Sequence, residues 1–255
     1  MSTALVTGAT AGIGLSFAHQ LAERGHDVVL VARDRARLEN VSDELRARHG
    51  VSTEILVADL SDRADTGKVA ERLADQAKPV DLLVNNAGSS LRKRFLDNDV
   101  SQEEAVFDVL TRAVLVLSHA AANAMRQRGH GAIINVSSVA GFISSGSYSA
   151  AKSFVTVFTE GLATELAGTG VTATALCPGF THTEFHQRAG VNMSRIPDFM
   201  WLESDRLVRD CLDDVAKGKV VSVPGAQYKA IVAALRVLPR PLVRARARTV
   251  HRPKS

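Results

Sequence analysis

The stretch Ala4-Leu5-Val6-Thr7-Gly8-Ala9-Thr10-Ala11-Gly12-Ile13-Gly14 sets a short apolar run directly before three glycines, and a helical pattern follows to about Arg24. An apolar run of this length fits a buried strand. Glycines between a strand and a helix let the backbone pass close to a phosphate and aim the helix N-terminus at it. The spacing is Gly-x-x-x-Gly-x-Gly, and its strand-to-helix setting predicts a dinucleotide site rather than an ordinary tight turn.

The units that follow repeat the alternation. Val28-Val29-Leu30-Val31 is a second buried run and ends at Ala32-Arg33-Asp34-Arg35. In a dinucleotide fold this strand end meets the adenine ribose, where an acid accepts from a free 2′-hydroxyl and an arginine suits a 2′-phosphate. Ala32 stands where the acid would be and Arg33 follows it, which favours NADP(H) over NAD(H). A charged helix is predicted from Arg35 to about His49, a third strand at Thr53-Glu54-Ile55-Leu56-Val57, and a helix from about Arg63 to Ala77. Asp59 lies between them, either meeting the adenine amino group or capping the next helix, a task Ser61 also suits. Val80-Asp81-Leu82-Leu83-Val84 reads as the fourth strand. Asn85-Asn86-Ala87-Gly88 after it either admits a ligand to the backbone or pins neighbouring strands. Strands and helices alternating at short intervals predict a parallel, doubly wound α/β sheet with right-handed crossovers.

Composition agrees with one large domain. The 255 residues are 45% apolar and rich in Val, Ala and Leu, with few aromatics, as expected for parallel strands buried under helices. Cys177 and Cys211 stand far apart without metal-ligand spacing, which reads as a reduced, cytoplasmic chain without disulfides. The N-terminus enters a strand without a signal-peptide pattern, and no run approaches the roughly 18 apolar residues of a membrane span. The net charge of +4 is concentrated at the end, where Arg236, Arg240, Arg244, Arg246, Arg248, Arg252 and Lys254 occur without an acid. No aromatic residues are interleaved to stack bases, so no nucleic-acid partner is expected.

Chemistry is concentrated at Tyr148-Ser149-Ala150-Ala151-Lys152. On a helix, Tyr148 and Lys152 share one face, and an ammonium beside a phenol favours the phenolate. Ser138 ends the buried run Ile133-Ile134-Asn135-Val136-Ser137, with Asn135 and Ser137 as alternative polar groups nearby. A serine, a tyrosine and a lysine converge if that strand ends beside the helix.

In order and in separation, the glycine turn, Asn85-Asn86-Ala87-Gly88, Ser138, Tyr148-x-x-x-Lys152 and Pro178-Gly179 resemble the short-chain dehydrogenase/reductase family. The resemblance runs from the first strand to about Val223. It implies a single Rossmann-like domain of about seven parallel strands with helices on both faces, spanning residues 1–238, with 239–255 as a basic tail. It implies Tyr148 as catalytic acid or base, Lys152 as holder of the nicotinamide ribose and promoter of Tyr148 ionisation, and Ser138 as the group orienting a substrate carbonyl. Gly8, Thr10, Gly12, Ile13 and Gly14 then surround the pyrophosphate, Arg33, Asp59 and Leu60 the adenosine, and Asn86, Ala87 and Gly88 the ribose. Pro178, Gly179, Thr181 and Thr183 hold the nicotinamide end, and no metal takes part.

Two departures stand out. Leu110 occupies the position at which the family carries an asparagine that anchors a relay water. The connection from Ser138 to Tyr148 is short, which widens one side of the cleft. Beyond Pro178, residues 180–203 read as a substrate lid lined by Phe185, Val191, Met193, Ile196, Phe199, Met200 and Trp201, which predicts a hydrophobic substrate. His182 and His186 are spaced like helical metal ligands but lack a third partner. The helix from Ser153 to about Ala167 shows Phe154, Val157, Phe158, Leu162 and Leu166 at helical spacing. With the helix near 103–128, it is where the family pairs, so a homodimer or homotetramer is expected. An apolar helix from Tyr228 to Leu238 precedes the tail. It either caps the sheet edge or, with the tail, lies on the inner surface of an anionic membrane. The expected activity is interconversion of a carbonyl and a secondary alcohol with NADP(H). The rival is a dinucleotide-binding sensor or scaffold of low activity, for which Leu110 is the motive.

Overall fold

Each apolar run becomes a strand because its alternate residues are buried on opposite faces. In β1 (Thr3–Thr7), Ala4 and Val6 pack into one core and Leu5 into a second. In β2 (Asp27–Ala32), Val28 and Leu30 join the first core while Val29 and Val31 join the second. The computed structural model describes residues 2–91, 93, 95–184, 197–239 and 241. Among these, β3 (Thr53–Val57), β4 (Leu82–Asn85), β5 (Gly131–Val136), β6 (Val171–Leu176) and β7 (Val221–Ser222) complete a single parallel sheet of seven strands. Their order is β3-β2-β1-β4-β5-β6-β7. The chain winds outward from β1 to β3, then returns to the other side of β1 at β4. That reversal opens a crevice beyond the C-terminal ends of β1 and β4.

Helices cover both faces, as the alternation predicts. Phe17 and Leu21 of α1 (Gly12–Glu23), Leu38 and Leu45 of α2 (Arg35–His49), and Leu207 and Val208 of the helix Ser204–Ala216 fill the first core. Val69 and Leu73 of α3 (Arg63–Ala74) fill the second, with Leu117, Ala121 and Met125 of α5 (Ala113–Arg128). Between them in the chain lies α4 (Val100–Phe107). After α5 come α6 (Gly146–Glu165), the helix Ser204–Ala216 as α7, and α8 (Ala226–Val237). The α3 helix stops three residues short of its expected end, because Asp75 is extended. Its N-cap is Asp62, which accepts from the Asp65 N–H at 2.9 Å, so neither Asp59 nor Ser61 caps it.

The long helix expected near 103–128 is interrupted. Residues Asp108–Arg112 form a turn of π-helix between α4 and α5, and Leu110 lies within it. Such turns concentrate at functional sites. The stretch Val100–Arg128 is long and apolar enough to cross a membrane. Its α5 portion, however, carries Leu117, Ala121 and Met125 against the sheet and serves as a core helix. Cys177 and Cys211 are free and buried. The lid residues Phe185, His186, Val191, Met193 and Ile196, and the basic residues Arg240, Arg244, Arg246, Arg248, Arg252 and Lys254, lie outside the described residues.

Candidate active site

The crevice at the strand reversal is a cleft of about 890 Å³. Its floor at one end is the turn after β1. Gly8 and Gly12 adopt φ +67° and +53°, which L side chains rarely take. The N-cap of α1 is Ala11, which has no side chain to satisfy the first N–H groups, and the first turn holds no acid. That leaves main-chain donors and the positive end of the helix dipole at the cleft, a setting for an anion. Gly14 is the one predicted contact that does not line the cleft. A Cβ there would sit 2.2 Å from the Gly8 carbonyl oxygen, so its glycine serves the close approach of α1 to the turn.

The turn is tied to β4 by side chains that leave the backbone open. Thr7 Oγ1 accepts from the N–H groups of Asn86 (2.9 Å) and Ala87 (3.0 Å), and Asn86 Nδ2 donates to the Thr7 carbonyl at 2.9 Å. Asn85 reaches the other way, into a buried network with Ser118 and Asn135. The asparagines therefore pin neighbouring strands, while Asn86, Ala87 and Gly88 also line the cleft. The hydrogen bonds bear out the pinning, on Asn85 and Asn86 alike.

Beyond the ends of β2 and β3, Ala32, Arg33, Asp59 and Leu60 line the wall together with Arg37, which sequence reasoning did not single out. Arg37 sits in the first turn of α2, a position legible only once that helix is docked. Arg33 lies 3.7 Å from Asp59, and Arg37 lies 3.3 Å from Glu184. Burial pushes the Asp59 carboxyl up, but two hydrogen bonds from Ser61 and the Arg33 guanidinium outweigh it and hold it below the usual range.

At the other end the predicted triad converges. Ser138 N-caps a short 3-10 turn (Val139–Phe142), accepting from the Ala140 N–H at 3.1 Å. Its hydroxyl is also hydrogen-bonded to the Tyr148 hydroxyl. Of the alternatives, Asn135 is committed to the buried network, and Ser137 donates to the Lys152 carbonyl at 2.7 Å, which fixes α6 on the end of β5. Lys152 Nζ donates to the Val136 carbonyl at 2.7 Å and lies 5.8 Å from the centroid of the Tyr148 ring.

The electrostatics differ from the expectation that Lys152 promotes ionisation of Tyr148. Burial pushes the phenol up to about 12, against the opposing effect of the Ser138 hydrogen bond, and brings the ammonium down to about 8. Desolvation is the largest cause for both groups, and the amine stands over the ring of Tyr148. At neutral pH this leaves a protonated phenol and a charged lysine. Leu110 is 1% exposed, and its Cδ2 lies 3.1 Å from where a Gly88 Cβ would stand, with Lys152 Nζ on the same side at 4.0 Å. A buried hydrocarbon and the amine thus both approach Gly88.

Pro178, Gly179, Thr181 and Thr183 line the cleft beside the triad, and Thr183 packs over Gly12. His182 makes no metal group with other described residues; its ring stacks on Trp201 at 4.5 Å. Sequence reasoning missed one wall altogether. Tyr228, Ile231 and Leu235 of α8 line the cleft together with Ile143, Phe180 and Met200. Their i, i+3, i+7 spacing marks one helix face, but nothing in sequence says that the face meets a cleft.

A family model described as short chain dehydrogenase matches residues 2–193. The chain belongs to the short-chain dehydrogenase family. Among curated relatives, an uncharacterized oxidoreductase of Staphylococcus saprophyticus is 36% identical over 183 residues, which are 71% of this chain and 78% of the relative. Among solved structures, a short-chain dehydrogenase from Sphingobium yanoikuyae in complex with NADPH is 34% identical with a TM-score of 0.86, covering 100% of this chain and 97% of that one. A bulky-bulky ketone specific alcohol dehydrogenase from Comamonas testosteroni is 27% identical with a TM-score of 0.81, covering 100% and 96%. As a short-chain dehydrogenase the chain is an oxidoreductase, and the cleft is where the family's sequence motifs meet.

Proposed function

We propose that this oxidoreductase interconverts a carbonyl and a secondary alcohol on a hydrophobic substrate, using NADP(H). The observation that carries the reading is the meeting of Ser138, Tyr148 and Lys152 in the same cleft as the uncapped N-terminus of α1. The residues fit a dinucleotide. The glycine turn offers main-chain donors to a pyrophosphate, Arg33 and Arg37 face a 2′-phosphate, and no acid stands at Ala32 to hold a free 2′-hydroxyl. When bound, the reduced nicotinamide supplies a hydride to a carbonyl carbon. Tyr148, protonated at neutral pH, gives its proton to the carbonyl oxygen, and Ser138 donates a hydrogen bond to that oxygen as charge builds. The Lys152 ammonium offsets the phenolate left behind. In the opposite direction Tyr148 takes the proton of the alcohol.

The apolar wall of Ile143, Phe180, Met200, Ile231 and Leu235 supports a hydrophobic substrate, and the Comamonas alcohol dehydrogenase, named for bulky ketones, is a neighbour in structure. Incubation with NADPH and a panel of ketones of graded bulk tests the reading, with oxidation of NADPH expected on the apolar members. Tight NADPH binding without oxidation across the panel instead favours a binding module, the reading that the buried hydrocarbon of Leu110 supports. Arg33→Ala is expected to weaken NADPH binding by about tenfold or more while leaving NADH binding nearly unchanged, as measured by titration. Assembly as a homodimer or homotetramer through α5 and α6, a cytoplasmic location, and membrane contact through residues 239–255 belong to the same proposal. Fractionation of a chain truncated after Pro239 tests the membrane contact.

A further inference from the structure

Tyr228 has a hydroxyl with no role in the chemistry above, yet it is placed with two main-chain partners. The side chain is 1% exposed. Its oxygen accepts from the Phe180 N–H at 2.9 Å and donates to the Met200 carbonyl at 2.6 Å. One residue earlier, Gln227 Nε2 donates to the Phe199 carbonyl at 3.1 Å. The first turn of α8 therefore grips both ends of the stretch 180–200, at Phe180 and at Phe199 and Met200. Those ends also hold each other. The Leu202 N–H donates to the Phe180 carbonyl at 2.8 Å, and the His182 N–H to the Leu202 carbonyl at 3.0 Å. The Tyr228 ring lies flush on Gly179, where a Cβ would come within 2.0 Å of it. Burial raises the phenol above its usual range, so the proton that Met200 receives is retained.

We propose that Tyr228 is a positioning residue that sets specificity, bolting the wall of the substrate end and keeping it apolar. Its hydroxyl occupies the N–H of Phe180 and the carbonyl of Met200, two main-chain groups that would otherwise draw water to a wall otherwise formed by Ile143, Ile231 and Leu235. A site lined by hydrocarbon and dry main chain selects hydrocarbon substituents beside the carbonyl; a wall with unpaired polar groups does not. The proposal rests on the reading of the cleft as a carbonyl reductase site.

Tyr228→Phe keeps the ring and removes both hydrogen bonds. With cyclohexyl phenyl ketone as the bulky apolar probe and hydroxyacetone as the small polar one, KM for the apolar probe is expected to rise about tenfold or more. Turnover should stay within about threefold, and preference for the apolar probe should fall correspondingly. Replacement by p-aminophenylalanine, which restores a donor at the same place, should recover most of the loss. If Tyr228→Phe does not fold, p-fluorophenylalanine at the same position removes the proton while filling the space. Trp201, the single tryptophan, adjoins Met200 and gives a readout independent of turnover. Its emission should shift to the red in the variant as water reaches the wall. Energy transfer from Trp201 to NADPH checks dinucleotide binding separately. If the wild type shows no transfer, the reductase reading fails, and the clamp is then judged by emission alone. Unshifted emission together with an unchanged preference between the two ketones overturns the proposal.

Discussion

Burial disfavours the charged form of both Tyr148 and Lys152, and each residue makes a distinct prediction. Because Tyr148 carries the proton in the proposed reaction, Tyr148→Phe should lower turnover by at least about 100-fold while NADPH still binds. Steady-state rates together with cofactor titration check this, and intact turnover would remove Tyr148 from its role. Lys152 has a folded value of about 8 against 10.5 when exposed. Below pH about 8 the burial cost is fully present. Between there and about 10.5 the folded chain has released this proton while the unfolded chain keeps it, so the Lys152 contribution to stability rises with pH across that window, whereas buried Cys177 and Cys211, both pushed up, act the other way above about 9. Lys152→Met should therefore lose activity yet match or exceed wild-type stability at neutral pH, by on the order of 1–3 kcal/mol, with its margin over wild type shrinking as pH rises from about 8 to 10.5. Denaturant unfolding at neutral and alkaline pH decides it; a variant less stable at neutral pH would show that the Val136 hydrogen bond outweighs desolvation.

At the scale of elements, the catalytic geometry depends on where helices start and how closely they approach the sheet. The α1 helix begins within the glycine turn and not after it, so its first N–H groups face the cleft. Gly14 makes this possible, and Gly14→Ala should cost about 2–4 kcal/mol, since a Cβ there overlaps the Gly8 carbonyl. A melting curve and an NADPH titration should show both stability and affinity falling; unchanged values would mean that α1 can slide without cost. Likewise α6 begins two residues before Tyr148, and Glu103 of α4 accepts from Ser147 at 2.7 Å to anchor that start. Most of these elements are legible in sequence, because each strand needs an apolar run and each helix a periodic one. The π-turn at Asp108–Arg112 is not, since its local composition is that of an ordinary helix and only packing against the sheet and α6 distinguishes it.

For the whole molecule, the cleft and the outer surface divide the apolar residues that sequence reasoning had grouped together. Within α6, Leu162 packs against the core, whereas Val157 is 64% exposed and Phe154 stacks on Phe158 at its side. Phe107 of α4 and Leu115 of α5 are exposed as well. These residues support the proposed pairing of protomers through this face, and Val157→Glu is expected to shift the protein to a monomer in sedimentation measurements without lowering its melting temperature. A wild type that sediments as a monomer would refute the pairing.

The one-dimensional chain was sufficient for the α/β class, the parallel sheet, the glycine turn and the residues of the triad. Each of these depends on local periodicity or on a short spacing that the backbone converts directly into geometry. Three features were decided only by the folded chain: the directions in which burial shifts Tyr148 and Lys152, the π-turn that carries Leu110, and the wall that α8 contributes. Desolvation depends on everything packed around a group, and a cleft wall depends on which distant segments meet. Tyr228 lies 80 residues from Tyr148 in sequence, and folding alone brings it to the same cleft.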